Sequence, residues 1–213
     1  MIQIFGGSLS PFARKVLVVA IEKGVAFEVK PIAPGSTDPD FVKASPFGKI
    51  PALKDGDFLI SDSTAIITYL EAIQPEPNLI PTEPRARART IWFEEFSDTL
   101  VGDCAGKMFL NRCVKPKIMK VEADFALADA AEREIPKHLD YIESVIPASG
   151  YLVEDRFTLA DIAVASPLAN LGYADCPIDA AQYPRVTAYL EAILARPSFA
   201  GLIAKEKAIL ARL

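Results

Sequence analysis

The sequence predicts an α/β domain built on a mixed four-stranded sheet, followed by an all-α domain. Three observations carry this prediction. The first third alternates short apolar strands with helical stretches. The chain then passes through a proline-rich break, and beyond it the strand signal stops.

Ile2 to Phe5 is short and apolar and runs into Gly6-Gly7, which reads as a buried strand ending in a turn. Pro11 to Lys23 reads as a helix. Val16, Leu17, Val19, Ala20 and Ile21 give it a wide apolar face, Pro11 suits a first helical turn, and Gly24 follows the end. Phe27 to Ile32 alternates as a second strand. Pro34 to Pro39 is rich in Pro, Gly and Asp and reads as loop, with a short helix after it. Ala52-Leu53-Lys54 and Phe58-Leu59-Ile60 flank Asp55-Gly56-Asp57 and read as a hairpin. Ser63 to Ala72 is helical. A strand-helix-strand crossover followed by an antiparallel pair requires a mixed sheet with helices packed on it.

Gln74 to Pro84 contains Pro75, Pro77, Pro81 and Pro84, a semi-rigid stretch that marks a domain boundary. The expected division is 1–75 for the first domain, 76–84 for the linker and 85–213 for the helical domain. Helices are expected at about Arg85–Arg112, Lys117–Val145, Thr158–Gly172, Tyr183–Ala195 and Ser198 to the C-terminus. Pro116, Pro147, Gly150, Pro177, Pro184 and Pro197 stand between them.

Composition narrows the function. Lys and Arg total 23 against 28 Asp and Glu, a net charge of −5, so there is no broad positive field for nucleic acid or anionic lipid. No stretch approaches the roughly 18 apolar residues of a membrane span. The opening MIQIFGGS lacks the features of a signal peptide. Cys104, Cys113 and Cys176 are scattered and form no CxxC, which points to a reducing cytoplasm and away from a disulfide framework or zinc site. His138 is the single histidine, so there is no set of imidazoles for a metal, and no metal is expected.

Several short segments carry chemistry beside an ordinary structural role. Ser10-Pro11 opens the first helix, and Ser at N-cap with Pro after it is a common helix start. The same place puts a hydroxyl in the positive potential of a helix N-terminus, where an anion such as a ligand thiolate would be held. Ser8 is a neighbouring alternative. Gly48-Lys49-Ile50-Pro51-Ala52-Leu53 reads as a turn and a strand that begins with proline. If Pro51 is cis, Ile50 offers its backbone to a peptide-like ligand as an added strand would. Asp62-Ser63-Thr64 caps another helix. It also suits an α-amino-acid head group, with Ser63 receiving the carboxylate and Asp62 the ammonium.

Phe157 to Ile162 is a capping box, with Thr158 and Asp161 as its members and Phe157 and Ile162 as a hydrophobic staple. It is a folding signal rather than a site. Arg85, Arg87 and Arg89 read as a solvated helix face. Trp92, Phe93, Phe96, Met108 and Phe109 share one long helix. Most are expected in the core, and some to line an apolar substrate pocket together with Phe12. Cys104 and Cys113 read as packing residues.

Taken together, Ser10 to Val16, Gly48 to Leu53, Ser61 to Ile66 leading to Tyr69-Leu70-Glu71, and Phe157 to Ala163 resemble the glutathione transferase superfamily over essentially the whole chain. The Ser-Pro-Phe spelling is similar to serine-type, tau-, omega- and theta-like members. The resemblance implies a thioredoxin-like first domain that binds glutathione and a helical second domain that supplies the electrophile pocket. It implies that Ser10 donates a hydrogen bond to the glutathione thiolate and that Ile50, followed by Pro51, pairs with its cysteinyl backbone. Asp62 and Ser63 would hold the γ-glutamyl head, and Lys49 would reach the glycyl carboxylate. Ser in place of Cys at position 10 points away from thiol-transferase and dehydroascorbate-reductase chemistry, and the Ser-Ser-Cys spelling of zeta-like isomerases is absent.

The activity so implied is conjugation of glutathione to an electrophile, or peroxide reduction, in a cytoplasmic detoxifying homodimer. A free thiol titrates near 8.5, and lowering it by one or two units takes about 1.4–3 kcal/mol, within reach of a hydroxyl and a helix dipole. Two rival readings keep the fold: a non-catalytic protein that binds glutathione or apolar ligands, and a disulfide reductase working through bound glutathione.

Overall fold

The computed structural model describes residues 1–33 and 35–213, so Pro34 of the expected loop lies outside the described residues. The chain divides into two compact units, Met1–Leu79 and Ile80–Leu213.

The first unit is a thioredoxin-like domain: β1 Ile2–Phe5, α1 Pro11–Glu22, β2 Phe27–Lys30, α2 Pro39–Ala44, β3 Ala52–Asp55, β4 Phe58–Ser61 and α3 Ser63–Ile73. The sheet order is β2-β1-β3-β4. β1 pairs parallel with β2 and antiparallel with β3, and β3 pairs antiparallel with β4. β2 ends at Lys30, two residues short of the expected Ile32. Pro31 has no N–H to continue a ladder, and the last bond on this edge runs from the Gly6 N–H to the Lys30 C=O (2.9 Å). The hairpin closes with two residues, Gly56-Asp57, and Gly56 takes φ +61°.

Both faces of β1 are buried. Phe5 packs with Phe41 and Ala44 of α2 and with Ala52, and Ile32, Ile50 and Leu59 close this cluster. Alternation along the strand turns Ile2 and Ile4 to the other side. α1 and α3 pack on each other. α1 is buried on all sides from Ala13 to Ala20, Arg14 and Lys15 included, while Ile21 of the expected apolar face is exposed. Tyr69 of α3 donates to Asp55 Oδ2 (2.7 Å) and stacks near Phe58, which fixes α3 to the hairpin.

A buried lysine ties down the end of this unit. Lys23, the C-cap residue of α1, has no exposed side-chain surface and meets Glu71 Oε2 at 2.6 Å. Its Nζ also donates to the carbonyls of Gln74 (2.7 Å) and Pro77 (2.9 Å). Glu71 Oε1 accepts from the Leu79 N–H (2.9 Å). Full burial of an ammonium is tolerated here because a carboxylate and three carbonyls, that of Pro75 at 3.4 Å the third, meet it. The proline-rich stretch up to Leu79 is thereby held against the first unit.

The second unit is helical: α4 Pro84–Phe96, α5 Gly102–Phe109, α6 Phe125–Val145, α7 Leu159–Tyr173, α8 Pro184–Leu194 and α9 Pro197–Leu210. Ser97–Val101 and Leu110–Met119 are wound in the wider π register. Among the described residues its β pairing is limited to an isolated bridge, Val153 with Arg156. The expected break at Pro116 does not occur, and the next helix begins at Phe125 rather than Lys117. The chain stays helical through Pro116 and turns at Lys120, which adopts φ +55°. Pro116 lies inside the widened stretch, whose register departs from the i−4 contact that a proline ring obstructs. Asn111 is fully buried at the start of that stretch. Its Nδ2 donates to the Lys107 carbonyl (2.9 Å), and its Oδ1 accepts from Lys115 Nζ (2.9 Å) and the Asp124 N–H (3.0 Å). One side chain thus links α5, the widened stretch and the start of α6.

The capping box at α7 is present in both directions. Asp161 accepts from the Thr158 and Leu152 N–H groups, both at 2.9 Å, and from the Tyr189 hydroxyl at 3.3 Å. Burial pushes its carboxyl up to about 6, against these hydrogen bonds, which favour the charged form. No single helix is long and apolar enough to cross a membrane, among the described residues.

Candidate functional site

The sheet register brings the predicted residues of the first unit together. Phe5 of β1 stands opposite Ala52 of β3, and Ala52 stands opposite Ser61 of β4. The three residues form one row across adjacent strands, a span of about 10 Å. The segment after Phe5 carries Ser10, the segment before Ala52 carries Lys49-Ile50-Pro51, and the segment after Ser61 is Asp62-Ser63. All three segments leave the same end of the sheet.

A glycine tightens this end further. Gly6 has φ +128°, and a Cβ there would lie 3.2 Å from Ile50 Cβ and 3.4 Å from Ala13 Cβ. The loop leading to Ser10 therefore rests directly against Ile50, with no room for a side chain between them.

Ser10 is the N-cap of α1. Its Oγ accepts from the Ala13 N–H at 3.4 Å, at the long limit of a hydrogen bond. Capping uses only a lone pair, so the hydroxyl proton remains available to a ligand. Pro11 follows at N1 and contributes no N–H. Ser8 lies half-buried in the turn before it, and Phe12 is half-buried in the first turn of α1.

The Ile50–Pro51 bond is cis. Ile50 packs its side chain on the Phe5–Phe41–Ala44–Ala52 cluster, and its own N–H and C=O have no hydrogen-bond partner among the described residues. The preceding residue is held by a group that the sequence reading missed. Ser45 is only 2% exposed, and its Oγ accepts from the Lys49 N–H (2.8 Å) while donating to the Lys49 carbonyl (2.7 Å). Such a two-way clamp from the C-cap residue of α2 leaves no trace in local spelling. The Lys49 side chain is exposed.

Asp62 is the N-cap of α3 with φ +83° and ψ +129°, an uncommon conformation for a residue with a side chain. Its Oδ1 accepts from the Ala65 N–H (3.0 Å). Ser63 is buried, and its hydroxyl has no partner among the described residues. Two helix N-termini, two serine hydroxyls, one carboxylate and one unpaired extended backbone residue thus share one end of the sheet. This arrangement can hold an anion at each helix start and an ammonium at Asp62, with a short peptide backbone between.

In the second unit, Trp92 and Phe96 stack with parallel rings 5.4 Å apart, and Tyr141 of α6 lies 5.3–5.4 Å from both. Trp92 is 43% exposed, whereas Phe96, Met108 and Phe109 are buried. Phe109 meets Tyr173 at 6.3 Å. Tyr141 and His138 belong to this aromatic group, although helix-face reasoning on α4 and α5 did not find them. Cys104 Sγ lies 3.8 Å from His138 Nε2. Burial raises the thiol and lowers the imidazole, so both are neutral at pH 7 and this pair does not make a thiolate. Cys113 and Cys176 are also raised, again chiefly by burial.

Comparison with known proteins is consistent along the chain. The family profile described as glutathione S-transferase, N-terminal domain, matches residues 5–78, and the C-terminal domain profile of that name matches residues 110–206. Glutathione S-transferase 3 of Zea mays is 32% identical over 209 residues, covering 95% of this chain and 93% of that protein. A stringent starvation protein A homolog of Haemophilus ducreyi is 27% identical, covering 95% and 90%. Among solved structures, a glutathione S-transferase from Rhodospirillum rubrum F11 superposes with a TM-score of 0.85 at 28% identity, covering 95% of this chain and 91% of that one.

Proposed function

Because the chain belongs to the glutathione S-transferase family, we propose that it binds glutathione at the common end of its sheet and activates the thiol for attack on an electrophile or a peroxide. The observation that carries this reading is the row Phe5–Ala52–Ser61, which gathers the Ser10, Ile50 and Asp62–Ser63 segments.

In this reading the Ser10 hydroxyl donates to the glutathione sulfur, and the α1 dipole favours the thiolate over the thiol. Ile50 pairs through its free N–H and C=O with the cysteinyl residue, in the manner of a short added strand, and Pro51 holds that loop's exit. Ser63 and the α3 N-terminus receive the γ-glutamyl carboxylate, Asp62 the ammonium and Lys49 the glycyl carboxylate. With 1-chloro-2,4-dinitrobenzene the sulfur forms a bond to the ring carbon, chloride leaves, and the thiol proton passes to solvent. With a hydroperoxide, two glutathiones are oxidised to the disulfide and the peroxide is reduced to alcohol and water. Ser10 is not the nucleophile, and neither reaction calls for a metal. Trp92, backed by the parallel ring of Phe96, is proposed to present the apolar surface that meets the electrophile.

The test is Ser10→Ala. Turnover of 1-chloro-2,4-dinitrobenzene should fall at least about tenfold at pH 6.5, with the bound thiol titrating one to two units higher. Unchanged turnover and titration would remove Ser10 from this role.

A cytoplasmic homodimer with a detoxifying role completes the proposal. Phe47, beside the Ile50 loop, is 88% exposed, a large apolar ring that a second protein surface would cover. Sedimentation of wild type and Phe47→Ser tests this, with a dimer expected for the first and dissociation for the second. A binding-only protein is the second reading, favoured by the similarity to a relative named for stringent starvation rather than transfer. Calorimetry showing glutathione binding without turnover of any electrophile or peroxide would select it.

A further inference from the structure

A cleft of about 600 Å³ lies wholly within the second unit, bounded by α7, α8, α9 and the connection from α7 to α8. Its volume falls in the range of small-molecule sites. None of its lining residues comes from the first unit, and none belongs to the residues given roles above except Tyr173, which touches Phe109.

The chain geometry explains why this space stays open. α8 and α9 meet at 94° across a short corner, so they diverge from one another over the surface of α7. The corner is held by Arg196, whose guanidinium sits 3.8 Å from the centre of the Phe157 ring. Tyr173 anchors α9 to α7 by donating to Glu206 Oε2 (3.0 Å). On α7 the cleft is faced by Gly172, where an added Cβ would meet nothing within 4 Å.

The lining identifies the chemistry of the occupant. Leu168, Ile178, Leu190, Leu194 and Ile203 make it mainly apolar. Its two charged residues, Glu191 and Lys207, have opposite signs, so the lining has no net charge to favour an ion of either sign. Two hydroxyls complete the lining, that of Tyr173, which donates to Glu206, and that of Thr187. Its Oγ1 is buried and has no hydrogen-bond partner among the described residues. A threonine in a helix has two accessible χ1 wells, so this hydroxyl can turn to a ligand that satisfies it.

We infer that the α7–α8–α9 cleft is a second ligand site, which takes a neutral, mostly apolar molecule with one hydrogen-bonding group. The inference does not rest on the glutathione reading.

The test uses the full chain and N-phenyl-1-naphthylamine, a neutral fluorophore with one N–H, in the presence of saturating S-hexylglutathione to occupy any glutathione-dependent cleft. One saturable site with a micromolar Kd is expected. Gly172→Leu, which fills open space, should weaken binding at least tenfold while leaving the circular-dichroism melt within a few degrees. Ile203→Gln approaches the same cleft from the facing helix and should weaken binding similarly if Gly172→Leu fails to fold. Thr187→Val should weaken it about three- to tenfold. The anionic analogue 8-anilinonaphthalene-1-sulfonate should bind at least tenfold more weakly. Absence of a saturable site, affinity untouched by Gly172→Leu and Ile203→Gln, or tighter binding of the anion would each overturn the inference.

Discussion

Replacing Gly6 with alanine tests whether the sheet end is assembled as the register implies. Two costs follow from the structure. A residue with a Cβ does not settle at φ +128°, a conformation worth about 1–3 kcal/mol of strain. The new methyl would also stand 3.2 Å from Ile50 Cβ and 3.4 Å from Ala13 Cβ, so both neighbours must give by a few tenths of an ångström. Together these destabilise the fold by roughly 2–3 kcal/mol, a fall in Tm of about 5–10 °C for a chain of this size. The displacement also reaches Ile50, so the Kd for glutathione should rise at least about fivefold. Gly7→Ala is the internal control, because Gly7 is exposed, has no positive φ and has nothing within 4 Å of a Cβ. It should stay within about 0.5 kcal/mol of wild type. Urea denaturation and calorimetry read both quantities. If the two variants behave alike, the loop before Ser10 does not rest on Ile50 and the site is not built in this way.

Ser45→Ala removes both bonds to the Lys49 backbone and should cost about 1–3 kcal/mol in urea denaturation, with weaker glutathione binding as a second readout. Lys23→Met removes the buried ammonium that Glu71 and the carbonyls of Gln74 and Pro77 share, so a loss of about 3–5 kcal/mol is expected in the same assay. Stability should also depend on pH through Asp161. Its folded value of about 6 lies above the ordinary 3.8, so the folded state binds the extra proton. The resulting stability is complete below about pH 4 and is lost as pH rises through 6, a change of up to about 3 kcal/mol. Asp161→Asn cannot titrate, so the difference in unfolding free energy between it and wild type should shift by that amount between pH 4 and 7; a constant difference would exclude the effect.

The elements of both units were legible wherever the signal is local. Ser10-Pro11, Asp62-Ser63 and Thr158 with Asp161 announce helix starts because capping is chemistry between residues two or three apart. Pro116 misled for the same reason. Local spelling counts its missing N–H as a break, but the helix is wound wider there and runs on through it to Met119. The Ser45 clamp and the place of Tyr141 beside Trp92 and Phe96 were invisible, since each depends on how distant segments meet.

By itself, then, the sequence determined the strands and helices of the first unit, the helix starts at Ser10, Asp62 and Thr158, and that one hydroxyl, one X-Pro step and one Asp-Ser pair are suited to a small acidic peptide. Only the tertiary structure decided that these three stand at one end of one sheet. Strand register is set by long-range pairing and by which side chains must be buried, and a slip of one residue would turn each strand's side chains to the opposite face. The row from Phe5 through Ala52 to Ser61, with Gly6 lying against Ile50, fixes that choice.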